Sequence, residues 1–221
     1  AKSGPINLIG RQSDGIANGI WYISGNVYLG SKAGSEVTTS SSDITMKYDD
    51  YYFSGLHPFI ATSGNVVWTP TDLSAKFNQT AYPSWFTWNQ NGLTPSGIRI
   101  GKDGNTSDIY IDTALTANGP ITLYGGSVTV GANMTATGGS IVIDADTGTT
   151  LSQSTHGVLL NAGVVLKTLT SGDISIMGRS GNGTCSGLGI SCQGIYVPSG
   201  ATINAAGNVS LSGTSYTTGS S

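Results

Sequence analysis

The stretch that decides the fold is GPITLYGGSVTVGANMTATGGSIVI, Gly119 to Ile143. A five-residue phrase recurs within it: Gly, a small or polar residue, then apolar, variable, apolar. It reads GPITL at Gly119 to Leu123, GSVTV at Gly126 to Val130 and GSIVI at Gly139 to Ile143. Alternation with period two puts every second side chain on one face of a strand, and the Gly-led start marks the turn before it. Ile121 and Ile141 are 20 residues apart (121 to 141), close to one three-sided coil of a β-solenoid.

The same phrase spreads outward in both directions. Toward the N-terminus it is GPINL at Gly4 to Leu8, GNVYL at Gly25 to Leu29, SDITM at Ser42 to Met46 and GNVVW at Gly64 to Trp68. Toward the C-terminus it is GDISI at Gly172 to Ile176 and GNVSL at Gly207 to Leu211. Many short strands without a helical crossover pattern leave a sandwich, a propeller or a parallel β-solenoid. Three features favour the solenoid. Asn-Gly and Gly-Gly corners recur, and the inward positions are small to medium aliphatics that can stack coil on coil. Variable material separates the copies, which a stack tolerates because each coil touches only its neighbours. The expected core includes Ile6, Ile121, Ile141, Ile174 and Val209.

A longer repetition overlies the short one. SGPINLIGR at Ser3 to Arg11 returns as SGDISIMGR at Ser171 to Arg179, and GIWYISG at Gly19 to Gly25 as GIYVPSG at Gly194 to Gly200. The offset grows from 168 (3 to 171) to 175 (19 to 194), the extra residues falling in the stretch that holds both cysteines. The chain reads as a slice, somewhat longer than one repeat, of a longer array. Its opening at Ala1 and its close in SYTTGSS agree with a cut piece.

Composition bounds the function. Gly supplies 33 of 221 residues, charged residues only 10%, and hydrophobic residues 38%. That is too apolar and too regular for a disordered chain. It is also poor in helix formers, with Val, Ile, Thr and Tyr carrying the order. A formal net charge of −3 and no basic stripe argue against nucleic acid as a partner. No apolar run reaches membrane-spanning length, so insertion into a membrane is not expected, and no signal peptide opens the chain. Cys185 and Cys192, in TCSGLGISC, could close a local disulfide pinning a surface loop in an oxidising compartment; two free thiols are the alternative.

One stretch departs from the pattern. Residues 48–95 are crowded with aromatics, from Tyr48, Tyr51, Tyr52 and Phe53 to Tyr82, Trp85, Phe86 and Trp88, and are punctuated by Pro58, Pro70, Pro83 and Pro95. A stack of thin aliphatic coils does not need so much ring mass. The organisation expected is therefore solenoid coils over 1–47, an aromatic-rich insertion or subdomain over 48–95, and coils again over 96–221. YPSWFTW places Tyr82, Trp85 and Trp88 at spacing three. Exposed in a row, such rings would stack on sugar faces; buried, they would form the core of the insertion.

SGIRIGKDGNTSDIYID at Ser96 to Asp112, followed by GPITLYGGSVTVGANMTATGG at Gly119 to Gly139, resembles the repeat regions of filamentous-haemagglutinin-like large exoproteins. These are bacterial adhesins exported by two-partner secretion. The resemblance is looser over Gly172 to Ser212 and weak over the aromatic stretch. It implies a right-handed parallel β-helix and a place in the shaft of a long fibre. That fibre would be secreted or held at the bacterial surface and would serve adhesion. Its partners would be neighbouring repeats of the same parent chain and a host or matrix glycan, with end-to-end self-association favoured by uncapped ends.

Enzymatic chemistry is weakly signalled. Parallel β-helices also house polysaccharide-degrading enzymes, and glycoside hydrolysis needs two carboxylates facing each other across the bond. Asp144 and Asp146 have the spacing that places two side chains on one face of a strand, but IDADTG reads equally as a strand running into an Asp-Thr-Gly turn. The histidines, His57 and His156, are far apart, His156 falling at an expected corner in STHG. No Ser-His-Asp, Cys-His or phosphate-loop arrangement stands out. The reading is of a non-enzyme with no cofactor and no metal. Sequons occur at Asn78, Asn105, Asn133, Asn182 and Asn208.

Overall fold

The computed structural model describes residues 4–10, 20–22, 28–30, 41–48, 51–53, 59–70, 80–81, 88, 92–145, 156–181, 184–185 and 190–215. The described residues are all-β, and three parallel sheets stacked in register give the architecture of a parallel β-helix. Three short strands make most turns of the chain among the described residues. The first coil holds β1 (Ile6–Gly10), β2 (Ile20–Tyr22) and β3 (Tyr28–Gly30), and the second β4 (Ile44–Tyr48), β5 (Tyr51–Phe53) and β6 (Phe59–Ala61). The third holds β7 (Asn65–Thr69) and β8 (Thr80–Ala81), the fourth β9 (Gly97–Gly101), β10 (Asp108–Ile111) and β11 (Leu115–Ala117). The fifth holds β12 (Ile121–Tyr124), β13 (Val128–Val130) and β14 (Met134–Ala136), the sixth β15 (Ile141–Ala145), β16 (Val158–Leu160) and β17 (Val165–Thr168). In the seventh, β18 (Ile174–Arg179) is followed by a small hairpin of β19 (Thr184–Cys185) and β20 (Ile190–Ser191). The coil then resumes with β21 (Ile195–Tyr196) and β22 (Thr202–Asn204), and β23 (Val209–Thr214) begins the eighth.

The first strand of every coil joins one eight-stranded sheet, in the order β1-β4-β7-β9-β12-β15-β18-β23. The second strands form β8-β10-β13-β16-β21 and the third β11-β14-β17-β22, with β2-β5 and β3-β6 pairing in parallel in the first two coils. Pairing in register stacks like residues. Val66, Ile98, Ile121, Ile141 and Ile174 form one continuous file, and Met46, Trp68, Ile100, Leu123, Ile143 and Ile176 a second. Ile109, Val128 and Val158 line the second face, and Leu115, Met134 and Leu166 the third. All of these are buried, so the variable position of each phrase faces outward and the two apolar positions face the core.

Ile121, Ile141 and Ile174 sit where the sequence places them, in the core. Ile6 is only partly buried against it, and Val209 is 48% exposed, because β1 and β23 are the outer strands of the stack and each has a neighbour on one side only. The span 48–95 contains β7, which takes a regular place between β4 and β9. Its Trp68 ring lies fully buried between Met46 and Ile100 rather than in a separate aromatic core.

The polar residue in the second place of the recurring phrase, after Gly or Ser, has a structural task. Asp43 Oδ1 accepts the main-chain N–H of Asn65 in the next coil at 2.7 Å, and Asp173 Oδ1 accepts that of Asn208 at 2.7 Å. Ser140 Oγ accepts the N–H of Asp173 at 3.0 Å. Each short side chain thus caps the strand entry one coil further on, where the ladder has not yet begun.

Candidate functional site

The outward face of the long sheet is the largest regular surface that the described residues offer. Register sets its side chains in two files. One runs Asn7, Thr45, Val67, Arg99, Thr122, Val142, Ser175 and Ser210. The other includes Ile9 and Lys47 at one end and Tyr124, Asp144, Met177 and Ser212 at the other, with Thr69 in the same register but buried. Between them Gly101 leaves the second file open. It adopts φ +82°, and a Cβ there would overlap the Tyr124 carbonyl oxygen. Arg99 lies across this gap. Its Nε donates to the Gly101 carbonyl at 3.3 Å, and its guanidinium sits 5.6 Å from the Tyr124 ring centroid, within cation–π range. Arg99, Tyr124 and Asp144 therefore form a small polar and aromatic patch, bordered by Thr122, Val142, Ser175 and Met177.

The residues singled out in the sequence fall as follows. Tyr82 and Trp85 lie outside the described residues. Trp88 is partly buried and packs against the hydrophobic core, which favours a packing role for this ring over an exposed row. Asp144 stands between Tyr124 and Met177 on the outward face, and Asp146 lies outside the described residues. Among the described residues no group of three His, Cys, Asp or Glu side chains is placed to hold a metal ion. Among the described residues no helix is long and apolar enough to cross a membrane. Cys192 is buried and disulfide-bonded. Cys185 is the other cysteine of the chain; its backbone pairs with Ile190, and its side chain lies outside the described ones.

Of the sequons, Asn105 is fully buried. Its Nδ2 donates to the Tyr124 carbonyl at 2.9 Å and its Oδ1 accepts from Ser107 N–H, so it is a turn residue in the folded chain. Asn133 is exposed, with Oδ1 accepting Val165 N–H at 2.8 Å, and Asn208 is also exposed. Asn78 and Asn182 lie outside the described residues.

His156 occupies the corner before β16, as the STHG motif suggests, but it does more than turn. It is 8% exposed, its Nδ1 accepts the Gln193 N–H at 3.0 Å, and its ring stacks on Tyr196 with centroids 4.9 Å apart and planes at 15°. Burial lowers its pKa below the ordinary 6.5, because a charged ring would lose its hydration. His57 lies outside the described residues. Sequence reading missed the Asp43, Ser140 and Asp173 caps and the His156–Gln193 contact. A signal for the caps was present in the recurring polar residue after Gly or Ser; the contact spans 37 positions and had none.

The fold defines the chain as a β-solenoid. No family model, no curated protein and no solved structure matches it.

Proposed function

We propose that this chain is a stretch of rigid shaft from a secreted or cell-surface bacterial fibre, a right-handed β-helix of the filamentous-haemagglutinin-like kind that serves adhesion without catalysing a reaction. The observation that carries this reading is the unbroken file of aliphatic side chains through the eight-stranded sheet. Seven strand spacings of about 4.8 Å give the stack a length of about 34 Å, and each added coil would lengthen it without changing its cross-section. The shaft's partners are the neighbouring repeats of its parent chain, and its part in adhesion is to hold recognition elements away from the cell.

A glycan-array screen tests this against the carbohydrate-binding reading of Tyr82, Trp85 and Trp88. The shaft reading expects no glycan retained by the folded chain. A glycan bound by the parent and lost in a folded variant carrying Trp85→Ala and Trp88→Ala would overturn it and make the aromatic segment a recognition site.

A further inference from the structure

The seventh coil is interrupted. After β18 the chain leaves the stack, forms the β19–β20 hairpin, and rejoins the sixth coil at Gln193. Beside the β16–β21 pairing of Val158 with Ile195 and Leu159 with Tyr196, the seam includes the following hydrogen bonds. Gly157 N–H donates to the Gln193 carbonyl at 3.0 Å and Val158 N–H to the Gly194 carbonyl at 2.8 Å, both ordinary ladder bonds. The third runs the other way, from Gln193 N–H to His156 Nδ1, a side chain standing in for a carbonyl. Tyr196, the last residue of β21, stacks on the same ring, and the buried, disulfide-bonded Cys192 directly precedes Gln193.

This seam requires a neutral imidazole. An Nδ1 that accepts a hydrogen bond carries no proton, so the ring hydrogen is on Nε2. Nε2 is itself buried, and among the described residues it has no hydrogen-bonding partner. A second proton has to go to Nδ1, where it would face the Gln193 N–H, donor against donor. The resulting cation would be buried with no acceptor among the described residues at either nitrogen. The described surroundings do not offset it. Tyr196 on β21 offers its ring face, Cys192 is disulfide-bonded and does not titrate, and Arg179 at the end of β18, whose backbone abuts Gly157, brings a basic side chain rather than a carboxylate. On the opposite side β13 brings no titratable side chain, and the Asp108 carboxylate beyond it accepts from Ser127 Oγ at 2.7 Å. The backbone at Gly157 is too closely packed against Arg179 and Gly194 for the corner to adjust by small shifts, since even a Cβ there would overlap main-chain atoms.

We propose that His156 is an acid-sensitive latch: as a neutral ring it holds the Cys192–Tyr196 segment on the sixth coil, and proton uptake at Nδ1 releases that segment together with the β19–β20 hairpin. Above the latch the solenoid stays intact, because the files of the long sheet do not pass through this corner. The change is reversible and local, a loosening of one coil edge.

Amide hydrogen exchange followed by NMR at pH 7.5 and pH 5.0, corrected for intrinsic exchange, tests this. Protection of the Gln193 and Val158 amides should fall roughly tenfold or more at the lower pH while Leu123 and Ile143 keep theirs. His156→Gln, whose amide oxygen accepts without titrating, should remove the response, and His57→Gln should leave it. Equal protection of Gln193 at both pH values, or a response that persists in His156→Gln, overturns the proposal. Should His156→Gln not fold, the ring Cε1–H shift of His156 in the unaltered chain decides. A midpoint below 6.5 that coincides with movement of the Gln193 amide supports the latch, and a midpoint at or above 6.5 overturns it.

Discussion

Ile141→Ala and Val209→Ala probe the same file of the long sheet at two depths. Ile141 is fully buried between Ile121 and Ile174, with a paired strand on both sides. Truncation to Ala removes three carbons, about 2.4 kcal/mol of transfer free energy at about 0.8 per methylene. The stacked coils above and below hold their main chains in register and cannot collapse into the space. A cavity contribution therefore adds to the loss, and the total should be about 2–5 kcal/mol. Val209 pairs only with Ile174 and is 48% exposed. Two methyl groups are removed there, about half of whose surface already meets water, so the loss should be about 0.8 kcal/mol. For a chain of this size each kcal/mol moves Tm by about 2–4 °C. Ile141→Ala should then melt about 4–20 °C below the parent and Val209→Ala within about 3 °C of it. Urea unfolding followed by circular dichroism gives the same comparison through the midpoint, provided the slope is unchanged. Equal losses at the two positions would refute the claim that stability resides in burial between coils.

Gly101→Ala should destabilise by about 1–3 kcal/mol, from the positive φ and the overlap with the Tyr124 carbonyl, read as a lowered urea midpoint. Asp173→Ala removes the acceptor of Asn208 N–H, so that amide should exchange roughly tenfold faster while Asp173→Asn largely preserves its protection. Trp88→Ala should lower thermal stability measurably in the absence of any glycan, since the ring packs on the core; an unchanged melting curve would favour an exposed ring. Acid should weaken the fold through His156. Its folded pKa lies below the ordinary 6.5, so the unfolded chain binds the proton more readily. The stabilisation is complete above about pH 6.5 and is lost as pH falls through the folded value, and this part of a pH–Tm profile should vanish in His156→Gln.

Much of the fold was legible because a solenoid repeats its own instructions. Each Gly-led phrase states a turn, a strand and an inward face, and the phrases at Gly119, Gly139 and Gly172 pair with one another in the structure. Ile121 and Ile141, one coil apart in the sequence, are direct partners. The aromatic stretch was less legible. Trp68 belongs to a strand phrase and also to a run of rings, and local composition does not say which context governs it. The structure places it in the file between Met46 and Ile100. Asn105 likewise reads as a sequon and is a buried turn residue, a distinction that depends on the carbonyl of Tyr124 in the neighbouring coil.

The candidate surfaces divide in the same way. Period two by itself is enough to put Arg99 and Tyr124 at outward positions, since that depends only on alternation along a strand. Their meeting required register between β9 and β12 and a glycine that opens the gap between them. His156 could be placed at a corner by its neighbours in STHG, but its role depends on Gln193 and Tyr196, one coil and an excursion further on. The sequence by itself determined which residues face in, where the chain turns and that like coils would stack, because these follow from local periodicity and turn chemistry. Tertiary structure alone decided which corner side chains cap the next coil, which ring fills the core and where a neutral histidine is required, because hydrogen bonds and burial are set by residues that register brings together from distant positions.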